Sequence, residues 1–158
     1  VRKEFLDDVD AFLEEQVNDK MLIGVHYRST DKFYGEAQPI TAETSCQKIQ
    51  TILENLPEKD VKIFVATDDS HFLEQMKLMF GDKVIFFDMY RSTDNQPIHT
   101  TGAVDGFTKG KMALLDCLVL SRSNLLIRTS SNLSNVSMLF NPTLQVIRIN
   151  DSRWWAER

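Results

Sequence analysis

Five short apolar runs, each set between stretches of helical periodicity, constrain this chain more than any other feature. They are 21–27 (Met-Leu-Ile-Gly-Val-His-Tyr), 61–66 (Val-Lys-Ile-Phe-Val-Ala), 84–87 (Val-Ile-Phe-Phe), 124–127 (Asn-Leu-Leu-Ile) and 144–149 (Leu-Gln-Val-Ile-Arg-Ile). Short apolar runs bounded by turn residues read as buried strands of a parallel sheet. Between them the apolar spacing changes to 3.6 residues. Phe5, Leu6, Val9, Phe12, Leu13 and Val17 share one helical face. A second helix, capped by Thr41, runs to residue 56 with Ile49, Ile52, Leu53 and Leu56 inward, and Pro57 blocks its continuation. A third places Phe72, Leu73, Met76 and Met79 inward and stops at Gly81. Helices over 108–121, with Met112, Leu115, Leu118 and Val119 inward, and over 133–140, ended by Asn141-Pro142, complete the set. Strands that alternate with helices define an α/β chain: a Rossmann-like parallel sheet with helices on both faces.

The chain carries no GxGxxG after a strand and no GxxxxGK[ST], so neither Gly-rich phosphate loop is present. A ligand must be held by another device. At 158 residues, with 42 % apolar residues, one domain with a real core is expected. The sequence starts inside a charged, helix-like segment without a signal peptide, which fits a domain excised from a longer chain. A net charge of −5 argues against a nucleic-acid surface but leaves room for a local basic pocket. No apolar run is long enough for a membrane-spanning helix. Cys46 and Cys117 fall in helical patterns and read as reduced core thiols. His26, His71 and His99 lack metal-ligand spacing, so no structural metal is expected. The polar stretch 88–107, with Pro97, Gly102 and Gly106, is long for a compact domain and reads as functional or mobile.

Three of the strands end in polar clusters. The first gives His26, Arg28, Thr30, Asp31 and Lys32; the second Thr67, Asp68, Asp69 and Ser70; the fourth Arg128, Thr129, Ser130, Ser131 and Asn132. In a parallel sheet these ends lie along one edge, where α/β folds bind ligands. The fourth cluster opens a helix, whose N–H groups and hydroxyls suit a phosphate. Arg28 can clamp the same group through a bidentate, charge-assisted pair. Each cluster also has an ordinary explanation. Ser130-Ser131-Asn132 and Asp68-Asp69 can each be an ordinary helix cap, His26 fits a hydrogen-bonded core histidine, and Arg28 can pair with Asp31.

Gly24-Val25-His26-Tyr27-Arg28-Ser29-Thr30-Asp31-Lys32 resembles the Gly-Val-His-Val-Arg-Arg-Thr-Asp-Lys motif of the α-1,6-fucosyltransferases, a family that includes the core N-glycan and nodulation enzymes. Ile63-Phe64-Val65-Ala66-Thr67-Asp68-Asp69 is a second match. Leu115-Asp116-Cys117-Leu118-Val119-Leu120-Ser121, followed by Leu126-Ile127-Arg128-Thr129-Ser130-Ser131, is a third. Together they span residues 21–141. The resemblance implies the C-terminal, donor-binding lobe of a GT-B type glycosyltransferase, with an N-terminal lobe of the same protein elsewhere. It implies GDP-fucose as the donor, an oligosaccharide or glycan acceptor, inversion, and no metal or other cofactor. Carried over, Arg28 binds the diphosphate, while His26 and Asp116 lie at the guanosine end, Asp116 accepting from the guanine. Ser130 and Ser131, beside Thr129, sit near the phosphates, and a shift of one residue makes Asn132 a candidate too. Asp31, Asp68 and Asp69 match acidic residues of the family site. Glu36 aligns with a glutamate that would be the general base, with Lys32 close by.

The family's second motif arginine is Ser29 here, which removes a donor fork that serine cannot replace. Two other readings therefore stay open: a non-catalytic nucleotide-binding or interaction domain with a decayed site, and a phosphoesterase in which Asp68 holds Mg²⁺. Asn132-Leu133-Ser134 and Asn135-Val136-Ser137 are glycosylation sequons inside the proposed phosphate turn. A glycan there would obstruct it, which favours a cytoplasmic, bacterial setting over the Golgi lumen.

Overall fold

A computed structural model describes residues 1–28, 40–88 and 105–150. In chain order the elements are α1 (Lys3–Gln16), β1 (Met21–Tyr27), α2 (Ala42–Glu54), β2 (Val61–Thr67), α3 (Ser70–Phe80), β3 (Val84–Ile85), α4 (Gly106–Ser121), β4 (Leu125–Arg128), α5 (Asn132–Phe140) and β5 (Gln145–Arg148). A single 3₁₀ turn, Gly81–Lys83, joins α3 to β3. The strands form one parallel sheet in the order β3-β2-β1-β4-β5. Winding proceeds outward from β1 through β2 to β3, then restarts on the other side with β4 and β5. The direction therefore reverses between β1 and β4, and a crevice opens beyond their carboxyl ends.

Alternation along the strands divides the core in two. Ile23, Val25, Tyr27, Ile63, Val65 and Ile127 face α2 and α3, where Cys46, Ile49, Phe72 and Met76 cover them. Leu22, Phe64, Ala66 and Leu126 face α1, α4 and α5, against Phe5, Val9, Leu118, Val119 and Leu120. Each fully buried aliphatic or aromatic side chain contributes about 1.5–3 kcal/mol, so these two layers supply the bulk of the driving force. Phe12, Phe64 and Phe87 form a ring cluster on the second face, with centroids 4.4–5.8 Å apart.

Local chemistry sets the ends of the elements. Thr41, Asp69, Asp105 and Ser131 cap their helices by accepting from Thr44, Phe72, Thr108 and Leu133 N–H. Asn18 and Asp19 turn α1 into β1 with φ of 48° and 65°, a conformation that Asn and Asp tolerate better than most residues. At the start of β1, Asn124 fixes its pairing with β4. Its Oδ1 accepts from Leu22 N at 2.8 Å, and its own N–H donates to Leu22 O at 2.8 Å. Gly24 lies mid-strand on the α4 face, where a Cβ would stand 2.5 Å from Ser123 Oγ and 3.0 Å from Leu120 Cδ2. Its missing side chain is what lets the end of α4 approach the sheet.

The observed elements differ from the expected ones at several places. Met79 is 40 % exposed, not inward; Phe80, four residues after buried Met76, takes the place against the core. The paired part of β3 is Val84–Ile85, although Phe86 and Phe87 still alternate between the two core layers. The second helix ends at Glu54, before Leu56. The fourth strand runs one residue further, so Arg128 belongs to the sheet and Asn124 to the turn before it.

Candidate functional site at the β1/β4 switch point

Pairing places the three polar strand ends side by side. His26 is opposite Ala66 on one flank and Arg128 on the other, and Tyr27 is opposite Thr67. The β1–β4 contact continues past the last paired residues. Thr129 N–H donates to His26 O at 3.0 Å, and Arg28 N–H donates to Thr129 Oγ1 at 3.2 Å. Thr129, 1 % exposed, thus fixes where Arg28 leaves the sheet.

Arg28 points its guanidinium toward the end of β2, with Nε 3.9 Å from Asp68 Oδ2. Both side chains are largely enclosed, so their attraction exceeds that of a surface pair. Asp68 is the residue that would hold Mg²⁺ in a phosphoesterase, and here it faces an arginine. Among the described residues, no group of three or more His, Cys, Asp or Glu side chains is arranged to hold a metal ion. Asp69 is buried and caps α3, its Oδ1 accepting from Phe72 N–H at 3.1 Å. Its geometry is that of a structural cap.

His26 is buried on the α4/α5 side of the sheet, 4 % exposed, next to Arg128 in register. Tyr27 points the opposite way, stacked on Phe72 with centroids 4.2 Å apart, its hydroxyl donating to Ile40 O at 3.0 Å. Burial, reinforced by Asp69, Glu43 and Asp68, pushes the phenol pKa up. It remains a protonated donor.

Beyond β4 the chain passes through Thr129 and Ser130 into α5. Ser130 N–H donates to Asn150 Oδ1 at 2.8 Å, which ties this turn to the chain after β5. Ser131 is the N-cap, its Oγ accepting from Leu133 N–H at 3.3 Å, and Asn132 is the first helical residue. The α5 N-terminus therefore opens at the β1/β4 switch point with no acidic residue in its first turn. Its positive end is suited to an anion. Asp116 stands half-buried on α4. Its neighbour Cys117 donates to Leu133 O at 3.3 Å, so α4 abuts this first turn. Cys117 and Cys46 are buried free thiols, as expected, and burial raises both pKa values, that of Cys46 to about 11.

The structure thus sets His26, Arg28, Asp68, Thr129, Ser130, Ser131 and Asn132 along one edge, with Asp116 half-buried on α4, and shows Asp69 capping α3. Asp31, Lys32 and Glu36 lie outside the described residues. One residue of the edge has no role in the sequence reading. Arg128 ends β4 with its side chain 8 % exposed, Nη1 donating to Ser134 Oγ at 2.9 Å and to Asn135 Oδ1 at 2.6 Å. The signal for it was a lone charge closing an otherwise apolar strand.

A parallel 3-2-1-4-5 sheet with an arginine and a hydroxyl-rich helix start at its switch point defines a Rossmann-like lobe with an edge suited to an anion. The chain belongs to the nodulation protein Z (NodZ) family, whose sequence model matches residues 1–154. It is 27 % identical, over 95 % of its length, to nodulation protein Z of Bradyrhizobium diazoefficiens and covers 42 % of that protein. Its structure is similar to NodZ α-1,6-fucosyltransferase soaked with GDP-fucose, with a TM-score of 0.63, 27 % identity, and coverage of 89 % of this chain and 43 % of the other. It shares the fold alone with apo POFUT1, at a TM-score of 0.59 and 9 % identity, covering 92 % of this chain and 46 % of the other. The fold is the expected one, a lobe of the GT-B type found in fucosyltransferases. The chain spans less than half the length of these relatives.

Proposed function

We propose that this chain is the donor-binding lobe of a fucosyltransferase that takes GDP-fucose and passes fucose, with inversion and without a metal, to a saccharide hydroxyl. The observation that carries it is that Arg28 leaves β1 and α5 begins beside the β1/β4 switch point, the Arg28 backbone held by Thr129. The GDP-fucose soak of the related NodZ enzyme supports the choice of donor. A second lobe, supplied by a longer protein, would carry most acceptor contacts.

On this reading Arg28 pairs with the donor diphosphate, and Ser130, Ser131 and Asn132 approach the phosphates with hydroxyl, amide and backbone N–H donors. His26 and Asp116 take the guanosine end, the Asp116 carboxylate accepting from the guanine ring. Asp68 holds Arg28 in place until the diphosphate arrives. Glu36 takes the acceptor hydroxyl's proton with Lys32 assisting, and Asp31 serves the donor. The oxygen attacks the anomeric carbon from the face opposite the diphosphate, the bond to the diphosphate oxygen breaks, and GDP departs with its electron pair. Arg28 and the helix N-terminus stabilise the charge that develops there, the task a metal ion performs elsewhere. A cytoplasmic setting goes with this reading, since glycans on Asn132 or Asn135 would crowd the first turn of α5.

Ser29 favours a second reading, a lobe that binds the nucleotide without transfer. Calorimetric titration with GDP and then GDP-fucose, in EDTA and in Mg²⁺, tests both. The proposal expects equal binding in the two buffers, loss in Arg28→Ala, and fucosylated product from the full-length protein. Binding without product selects the second reading. Absence of GDP binding in either buffer defeats both.

A further inference from the structure

We propose that Arg128 is a second cation of the diphosphate site, a positioning residue held beneath the first turn of α5 whose charge is neutralised only when a diphosphate binds. This rests on the donor-lobe reading and gives a role to a residue that reading leaves without one.

Arg128 is more than nine-tenths buried. Its hydrogen bonds among the described residues both leave from Nη1, to Ser134 and Asn135 in the first turn of α5. Nε is enclosed and has no hydrogen-bond partner. Those two partners are neutral, α5 has no acid in its first turn, and no described carboxylate forms an ion pair with Arg128. The nearest charge on the adjoining strand has the same sign, because Arg148 is its partner in the β4–β5 register. Burial first, and then Arg148, pull the Arg128 pKa down, so the charged form is disfavoured where it sits.

The place makes this worse. A helix N-terminus carries a positive partial charge, and a cation there is unfavourable. An arginine kept only to hold α5 would be a poor choice, since neutral groups fill buried positions at lower cost. The arrangement becomes favourable once an anion sits at the α5 N-terminus. The helix end, Arg28 and the charge of Arg128 behind the first turn would then act on it together. His26, Arg128's register neighbour on the same face, is the residue that the donor-lobe reading gives to the nucleoside.

The test titrates the full chain with GDP, inorganic pyrophosphate and guanosine, comparing wild type with Arg128→Met, Arg128→Gln and Arg128→Lys. Loss of a charge-assisted contribution should weaken GDP and pyrophosphate by about tenfold or more and guanosine by less than about twofold. Lysine should recover part of the loss, and unliganded Arg128→Met should melt no lower than wild type. If Met fails to fold, Gln, which can still bond Ser134 or Asn135, supplies the same comparison. An equal loss for guanosine and GDP would mark Arg128 as a structural peg and overturn the proposal. So would GDP binding that ignores Arg128, although the donor-lobe reading would then stand. Arg128-dependent pyrophosphate binding without GDP binding keeps this inference and rejects the nucleotide-sugar reading. Binding of neither rejects both.

Discussion

Gly24→Ala is the sharpest structural prediction, because its magnitude follows from three distances. The new methyl would lie 2.5 Å from Ser123 Oγ, 3.2 Å from Ser123 Cβ and 3.0 Å from Leu120 Cδ2. Comfortable carbon contacts begin near about 3.5 Å, so every one of these is an overlap. Leu120 and Ser123 are both buried, at 0 % and 5 % exposure, and Ser123 Oγ donates to Val119 O at 3.4 Å. Rotating the hydroxyl relieves only the worst contact; the end of α4 must also move. Overpacking of this kind costs about 1–3 kcal/mol, offset by up to about 1 kcal/mol from the stiffer unfolded chain. A net loss of about 1–2 kcal/mol corresponds to a Tm drop of about 2–8 °C for a chain of this size. Thermal and urea unfolding would measure it, with an unchanged m-value showing that stability alone has moved. In a double-mutant cycle, Ser123→Ala should return part of the loss, because the two side chains collide. A Gly24→Ala protein as stable as wild type, or a loss that Ser123→Ala leaves untouched, would refute the reasoning. It would also remove the packing explanation for the glycine two residues before His26.

Three further outcomes are expected. Thr129→Val leaves the Arg28 N–H without its acceptor and should cost about 1–2 kcal/mol in thermal unfolding; an unchanged Tm would deny Thr129 its pinning role. Asp68→Asn removes the charge competing for Arg28 and should tighten GDP binding about two- to fivefold at low salt. A tenfold loss in calorimetry would instead make Asp68 a ligand. The third concerns alkaline pH. The Cys46 thiol, buried and 1 % exposed, is pushed from 9.0 up to about 11, first by burial and then by Glu43. The folded protein holds this proton more tightly than the unfolded chain does. The contribution is therefore full below pH 9 and is lost as pH rises through about 11. Urea unfolding across that window should show a fall in stability that Cys46→Ala reduces without removing, because burial also raises Cys117 and Tyr27; a flat profile in wild type would contradict it.

The sheet was legible because each strand is an apolar run of strand length flanked by turn residues, and 21–27 matches β1 residue for residue. The site's edge was legible for a related reason: polar residues directly after an apolar strand have nowhere to go but its carboxyl end. The departures come from tertiary choices. Periodicity allows either Met79 or Phe80 to follow Met76 inward, and packing chose the larger ring. Likewise, 84–87 has strand character throughout, yet at the sheet edge only Val84 and Ile85 are paired. Asp69 reads from the sequence as either ligand or cap, and the Phe72 N–H shows that it caps α3. Arg128 was visible as a residue but not as a problem. Its significance lies in what surrounds it, two neutral partners, a helix N-terminus and Arg148. None of these is adjacent to it in sequence.

The central claim is that the nucleotide diphosphate sits at the carboxyl edge between β1 and β4. Amide NMR during a GDP titration tests it most directly. The largest shift changes are expected at Arg28, Thr129, Ser130, Ser131 and Asn132, with Arg28→Ala abolishing them. Shifts centred instead on the amino-end groove lined by Gln50, Leu53, Lys59, Val61 and Lys83, or shifts at the switch point that survive Arg28→Ala, would contradict it.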